Sequence, residues 1–395
     1  SPDGQGATEP APEDPDAVDD ETVVGASPEA EVAATWLEEL VTESASANVL
    51  SLPYGDLDVA AVASSRLSGV LARAAELSER ATTEAGIVSA PVVAPPGGLL
   101  PARAIAGVDS SVPVLLEDRA FPDAPGSVLD RPDGTRVLLL DDTVATGGPG
   151  PDPRLAPVAF RQRILAEAAV RSLEDVRDPL LVAIPEEFDP GGSFAAGAFF
   201  DGLDVPWLRQ VTLSQVLVGA PSVEQRGLPF YPPRARKRQL PFANQLATAE
   251  LLQTGRVFAD LLTSNDSVAD ELGGVGMLGS SYHARARPGP ARQRVRNTTA
   301  RVRRFMRLVD VDGPPFVMMS SETGPIAVTL VNNLDEPVTV RLEARTPRDD
   351  LRIVVMSATI DGARFARLMN EAPVIESEGR AHPLRIEWLG SRAEL

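Results

Sequence analysis

Carboxylates recur where apolar runs end. Asp56 and Asp58 follow "NVLSLP", Glu117 and Asp118 follow "VPVLL", Asp141 and Asp142 follow "TRVLLL", and Glu186, Glu187 and Asp189 follow "PLLVAIP". In parallel α/β folds functional groups gather at the C-terminal ends of strands. Two carboxylates flanking a glycosidic bond can cleave it, one as acid and the other as base or nucleophile. Neighbouring like charges also raise one of the two pKa values. Asp56, Asp58, Asp141, Asp142, Glu186 and Glu187 are the weak catalytic candidates on this ground. The same placement has a simpler use. A carboxylate entering a helix accepts bonds from unpaired N–H groups and meets the positive end of the helix dipole, worth about 0.5–2 kcal/mol. With 56 acidic residues in the chain, paired acids in loops also arise by chance. The reading adopted is that Asp56 or Asp58 caps a helix over 57–82, so that Ala there costs about 0.5–2 kcal/mol and Asn little. A carboxylate-pair glycosidase is the alternative.

Other chemistries lack their residues. There is no cysteine, which excludes disulfides, zinc–thiolate sites and thiol nucleophiles. The two histidines, His283 and His382, lie outside the strand-rich region, too few and too far on for a deacetylase metal site or a Ser-His-Asp arrangement. "VATGGPGPDP" is glycine-rich but has neither the Lys nor the Ser/Thr of a phosphate loop. No metal and no cofactor is expected. A net charge of −19 argues against nucleic-acid binding, which rests on neutralising phosphates. Against that charge stands one basic cluster: Arg285, Arg287, Arg292, Arg294, Arg296, Arg301, Arg303, Arg304 and Arg307. It could bind an anionic lipid or a pyrophosphate-linked carrier. As a solvated helix face or an internal ion-pair partner it would have no ligand. Arg234, Arg236, Lys237 and Arg238 form a shorter run with the same two uses. Lys237 is the only lysine among 37 basic residues, a bias that fits a GC-rich genome.

Elements that could position these groups follow from the hydrophobic pattern. Residues 1–31 are acidic and rich in Pro, Ala and Gly, and are expected to be a disordered linker, with 1–26 dispensable for the fold. Ser27 can cap a helix carrying Val32, Trp36, Leu37 and Leu40 at helical spacing. Over 32–240, apolar strand-like runs alternate with helical patterns. The runs are "NVLSLP", "PVVAPP", "VPVLLED", "TRVLLLDD", "PLLVAIPEEFD" and "PWLRQVTLSQVL", and "RPDGT" is a tight turn between two strands. This predicts an α/β domain with a largely parallel, barrel-like sheet. A helical segment and connector over 241–312 follows. Alternating runs within 313–395 predict an immunoglobulin-like β-sandwich, with Val328, Leu330, Val338, Val340 and Leu342 facing one core. No run approaches the ~20 apolar residues of a membrane span, so the chain is expected to be soluble as given.

Four motifs in order, "LPYGDLDVAAV", "VPWLRQVTL", "GSSYHARARP" and "GPIAVTLVNNLDEPVTVRLEA", resemble the actinobacterial family DUF6049. The resemblance covers nearly everything after Ser27. It implies an exported, membrane-anchored envelope protein whose α/β part is similar to glycoside hydrolase and polysaccharide deacetylase barrels. It also implies a gene beside that of the lipid II flippase of peptidoglycan synthesis. On that pattern further barrel strands and a membrane anchor are missing here, so the chain is expected to be a soluble fragment of an extracytoplasmic protein. The function implied is non-enzymatic, binding or regulating a membrane partner, with glycan or anionic lipid as further ligands. A glycan-binding module with a dead barrel lies between this and the hydrolase.

Overall fold

The computed structural model describes residues 27–146, 152, 156–174, 176–185, 188–189, 191, 194, 196–263, 267–313 and 329–340. The chain divides into two compact units, 1–340 and 341–395, and every described residue belongs to the first. Of the expected linker 1–31, residues 1–26 lie outside the described residues, as do Glu186, Glu187, and Val328 and Leu342 of the expected sandwich, whereas 28–31 are not linker but the first turn of a helix.

The fold is mixed α/β. Helix α1 (Pro28–Ser44) starts where Ser27 accepts a bond from the Ala30 N–H at 3.3 Å. Its apolar stripe, however, faces outward: Val32 is 70% and Trp36 61% exposed. Strand β1 (Val49–Ser51) leads into α2 (Val59–Ser65) and α3 (Ser68–Glu84). The single helix expected over 57–82 is broken at Arg66, which takes a left-handed φ of 60° and turns the chain between the two. Then come β2 (Ser89–Pro91), α4 (Ala102–Ile105), β3 (Val114–Glu117), β4 (Val128–Asp130) and β5 (Arg136–Leu140). The "RPDGT" turn joins β4 to β5 as an antiparallel pair, with Gly134 at φ 87° and Asp133 accepting from the Thr135 N–H.

Helices α5 (Asp142–Thr146), α6 (Pro157–Leu173), α7 (Ala196–Asp201) and α8 (Leu213–Gly219) precede β6 (Val223–Glu224). The run "PWLRQVTLSQVL", expected as a strand, instead ends in α8. Thr212 and Gln215 form a reciprocal capping box, which commits the following residues to a helix. The "PLLVAIP" run forms no strand either, although the Asp141 N–H donates to the Leu181 carbonyl at its edge.

Strands β1 and β2 pair in parallel, as do β3 and β5, while the four-stranded sheet runs β3-β5-β4-β6. A parallel bridge from Val93 to Val114 ties the chain just after β2 to β3. The parallel order explains the apolar runs, because both faces are covered. Val137 and Leu139 of β5 face a core with Val59, Leu100 and Ile105, while Leu138 between them faces Val216 of α8. Among the described residues the sheet does not close into a barrel.

After α9 (Pro233–Arg238) the chain forms α10 (Phe242–Leu261), α11 (Val268–Gly279) and α12 (Pro288–Met306), which pack on one another. Glycines on α11 allow the close approach. A Cβ on Gly274 would stand 3.3 Å from the Tyr54 ring, and one on Gly279 would collide with Val295 of α12. Finally β7 (Val309–Asp312) pairs antiparallel with β8 (Thr329–Asn332). Leu330, expected to face a sandwich core, is 43% exposed, whereas Val338 packs against Phe258, Leu262 and Val302 of the helical segment. Alternation alone could not reveal that a neighbouring helix supplies Val338 with its cover.

Candidate functional site

Two of the motifs noted above meet in space. The loop "YGDLD" lies against "SSYHAR": the Asp58 N–H donates to the Ser280 carbonyl at 2.9 Å, and the Tyr282 N–H donates to the Asp56 carbonyl at 2.8 Å. Leu57 and Ser281 form an antiparallel bridge between them. Gly55 and Asp56, at φ 73° and 53°, reverse the chain so that Asp58 points inward. Aspartate tolerates that left-handed conformation better than most residues.

Asp58 is the cap, and more than a cap. Its carboxylate is fully buried, and Oδ1 accepts from the Ala61 N–H at 3.0 Å at the start of α2. Oδ2 accepts from the Leu240 N–H at 2.9 Å. Arg285 adds a two-pronged pairing, Nε to Oδ2 and Nη2 to Oδ1, both at 2.7 Å. Four donors thus occupy both oxygens, and three distant chain segments are tied to one side chain. Burial works against the Arg285 charge, but the bonds and charge of Asp58 outweigh it and raise its pKa. The guanidinium also lies 4.2 Å from the centroid of the Tyr282 ring. Asp56 plays a different part. Its carboxylate lies 3.7 Å from Nε2 of the largely exposed His283.

Beside this junction is a cavity of about 340 Å³. Arg119, Arg234, Arg238 and Arg285 line it together with Tyr231 and Tyr282. Gly97, just beyond β2, contributes backbone to the wall and accepts from Arg119 Nη2 at 3.1 Å. The cavity thus sits past the C-terminal ends of β2 and β3. The Tyr282 hydroxyl is buried and has no hydrogen-bond partner among the described residues. Burial, and then the Asp58 charge, push its pKa well up, so it stays protonated. The Tyr231 oxygen accepts from Gln239 Nε2 at 2.9 Å, and burial raises its pKa as well.

The remaining strand-end acids have separate positions. Asp141 is buried and caps α5, accepting from the Thr143 N–H at 3.0 Å, while its other oxygen takes Arg171 Nη2 at 2.9 Å. Glu117 pairs in register with Leu140 across the parallel β3–β5 ladder, which brings Asp118 and Asp142 to the same edge. Burial raises the pKa of Glu117; the paired Arg119 opposes this and Asp142 adds to it. Burial raises Asp118 too, with Asp141 and Asp142 contributing. Among the described residues, no group of three or more His, Asp or Glu side chains could hold a metal ion.

The arginine cluster is split. Arg285 belongs to the Asp58 junction, whereas Arg292, Arg294, Arg296, Arg301, Arg303 and Arg304 ride on α12, and Arg287 precedes it. Ala291, Val295, Thr299 and Val302 form the buried face of that helix, so its arginines occupy the remainder of the surface. Arg303 pairs with Glu250 at 2.8 Å, and Arg301 covers the Phe305 ring.

Sequence reasoning did not bring Arg119, Tyr231 and Tyr282 together with the Arg234–Arg238 run. The one available signal was spacing. Tyr282 and Arg285, three apart around a single 3₁₀ turn, necessarily stack on one side.

No protein-family model matches the chain. Short similarities reach two RNA helicases of Escherichia coli (strain K12). ATP-dependent RNA helicase HrpA is 49% identical over 41 residues, 10% of this chain and 3% of the helicase. ATP-dependent RNA helicase HrpB is 48% identical over 42 residues, 11% and 5%. The HrpA homolog of Haemophilus influenzae (strain ATCC 51907 / DSM 11121 / KW20 / Rd) is 44% identical over 41 residues, 10% and 3%. The chain therefore spans only 3–5% of the length of the curated relatives it matches, and similarity of that extent assigns no family.

Proposed function

We propose that this chain is part of a non-enzymatic, extracytoplasmic envelope protein that binds or regulates a membrane partner in peptidoglycan synthesis. The lipid II flippase is the first partner to test. The resemblance to DUF6049 supplies that setting, and with it the finer fold: an incomplete barrel over 32–240 and a sandwich over 313–395. No helix among the described residues is long and apolar enough to cross a membrane, so a membrane anchor would have to come from elsewhere in the protein. The observation that carries the non-catalytic reading is Asp58. This candidate acid has both oxygens filled by four internal donors and no exposure to a substrate. Asp141 is engaged in the same way. Co-purification of the protein with the flippase from membranes tests the reading directly. Recovery of the flippase at background level would reject this partner.

A hydrolase remains the second reading, favoured by one observation. Glu117, Asp118 and Asp142 share one edge of the parallel sheet, and the first two have raised pKa values, as a general acid requires. Release of reducing ends from purified peptidoglycan, abolished by Asp118→Asn, would establish it in place of the first.

A further inference from the structure

The cavity beside Asp58 carries a charge that its surroundings do not cancel. Four guanidinium groups line it. Asp58 neutralises Arg285 and Glu117 pairs with Arg119. Among the described residues Arg234 and Arg238 have no carboxylate partner. No acidic side chain lines the cavity itself. About two positive charges are therefore left lining one open cavity, in a protein whose net charge is −19.

The remaining polar groups are donors. Tyr282 adds its ring to the wall, while its hydroxyl has no accessible surface. The Tyr231 oxygen already accepts from Gln239, which leaves its own proton to donate. Leu99 and Pro232 add apolar wall. Guanidinium forks together with a neutral hydroxyl donor match the oxygens of a phosphoryl group and offer nothing to a cation. The position past the C-terminal ends of parallel strands is where open α/β sheets bind ligands.

We propose that this cavity is a binding site for a phosphate-bearing small molecule with about two negative charges, a phosphate monoester or a diphosphate, held by Arg234 and Arg238 and by the Tyr231 hydroxyl. The two free guanidinium groups set the charge of the ligand, and the Tyr231 phenol orients it. The inference stands on the cavity and does not depend on which membrane partner the protein has. A lipid-linked diphosphate headgroup and a free soluble phosphate would present the same chemistry to it.

The test is titration calorimetry on the 395-residue chain with inorganic diphosphate, inorganic phosphate and the dicarboxylate succinate. Flotation with phosphatidylcholine vesicles, with and without an isoprenoid diphosphate, runs in parallel. Diphosphate or phosphate should bind and succinate should not. Arg234→Gln/Arg238→Gln should weaken binding by about a hundredfold, since two charge-assisted contacts are lost and each carries about tenfold. Both arginines are exposed on a short helix, so the variant should keep the wild-type unfolding midpoint. Stronger flotation with the isoprenoid diphosphate than free diphosphate affinity explains would assign the lipid as source; equal affinity would assign a soluble phosphate. The proposal is overturned if neither phosphate nor diphosphate binds, if succinate binds equally well, or if the double variant binds as the wild type does.

Discussion

Replacing Asp58 by Asn separates a simple helix cap from the junction described above. As a cap alone, Asn would serve almost as well, and Ala would cost about 0.5–2 kcal/mol. The structure raises both figures. Asp58 receives four hydrogen bonds, two of them from Arg285, whose side chain is only 23% exposed. Asn can still accept from the Ala61 N–H through Oδ1. Its amide nitrogen would then face the Leu240 N–H and the guanidinium with a donor of its own. Breaking a buried pair by removing one partner costs about 3–5 kcal/mol. Arg285 borders the cavity and can turn partly into water, so the lower part of that range, about 3–4 kcal/mol, is expected for Asn. Ala also loses the cap and should cost about 3–5 kcal/mol, with the two contributions less than additive. Equilibrium urea unfolding of wild type, Asp58→Asn, Asp58→Ala, Arg285→Met and Asp58→Asn/Arg285→Met gives the comparison. The double variant should cost clearly less than its two single variants added together, because no charge is left stranded. If Asp58→Asn stays within 1 kcal/mol of wild type, the carboxylate is only a cap and the junction argument fails.

Three further outcomes follow from other parts of the fold. Gly279→Ala should destabilise by about 1–3 kcal/mol despite the better helix propensity of Ala, since its Cβ would collide with the buried Val295, and Val295→Ala should restore part of the loss on thermal unfolding. Thr212→Val removes the capping box of α8 and should cost about 0.5–2 kcal/mol by urea unfolding, with Thr212→Ser close to wild type. Asp118 has a folded pKa raised above its ordinary 3.8, so the folded state binds more protons than the unfolded one in that window. Its contribution is fully present below about pH 3.8 and is lost as pH rises through the raised value. Asp118→Asn should therefore raise the unfolding temperature at pH 7 relative to wild type, and the difference should shrink toward pH 4; a difference that grows on acidification would contradict the assignment.

Much of this fold could be read from local pattern. The β4–β5 hairpin was legible because Pro, Asp and Gly each have a defined task in "RPDGT". The buried strands β3 and β5 were legible because both faces of a parallel sheet demand apolar residues. The misreading at 206–217 has a physical cause. "TLSQVLVG" satisfies strand propensity and a capping box at once, and the two hydrogen bonds of the box decide between them. The stripe on α1 shows the opposite failure. Val32 and Trp36 have helical spacing, but periodicity cannot say whether anything covers the face it creates. The candidate site was legible only in halves. A cap could be assigned to Asp56 or Asp58 from their position before a helical pattern, yet the pairing of Asp58 with Arg285, 227 residues away, leaves no local trace.

That long-range pairing determines how the cavity can work. One carboxylate holds residues 58–61, Leu240 and Arg285 together, and Leu240 lies two residues beyond Arg238. Asp58 therefore fixes the end of α9 while cancelling the charge of Arg285. The part-buried Arg285 becomes a neutralised wall, and the uncancelled charge is left to Arg234 and Arg238 on the surface. The two kinds of arginine should separate by experiment. Changing Asp58 should lower stability and, by loosening α9, phosphate affinity together. Changing Arg234 and Arg238 should lower affinity with stability unchanged. If instead the α9 variants lose stability in step with affinity, their guanidinium groups hold the fold and the division of labour between part-buried and surface arginines is wrong.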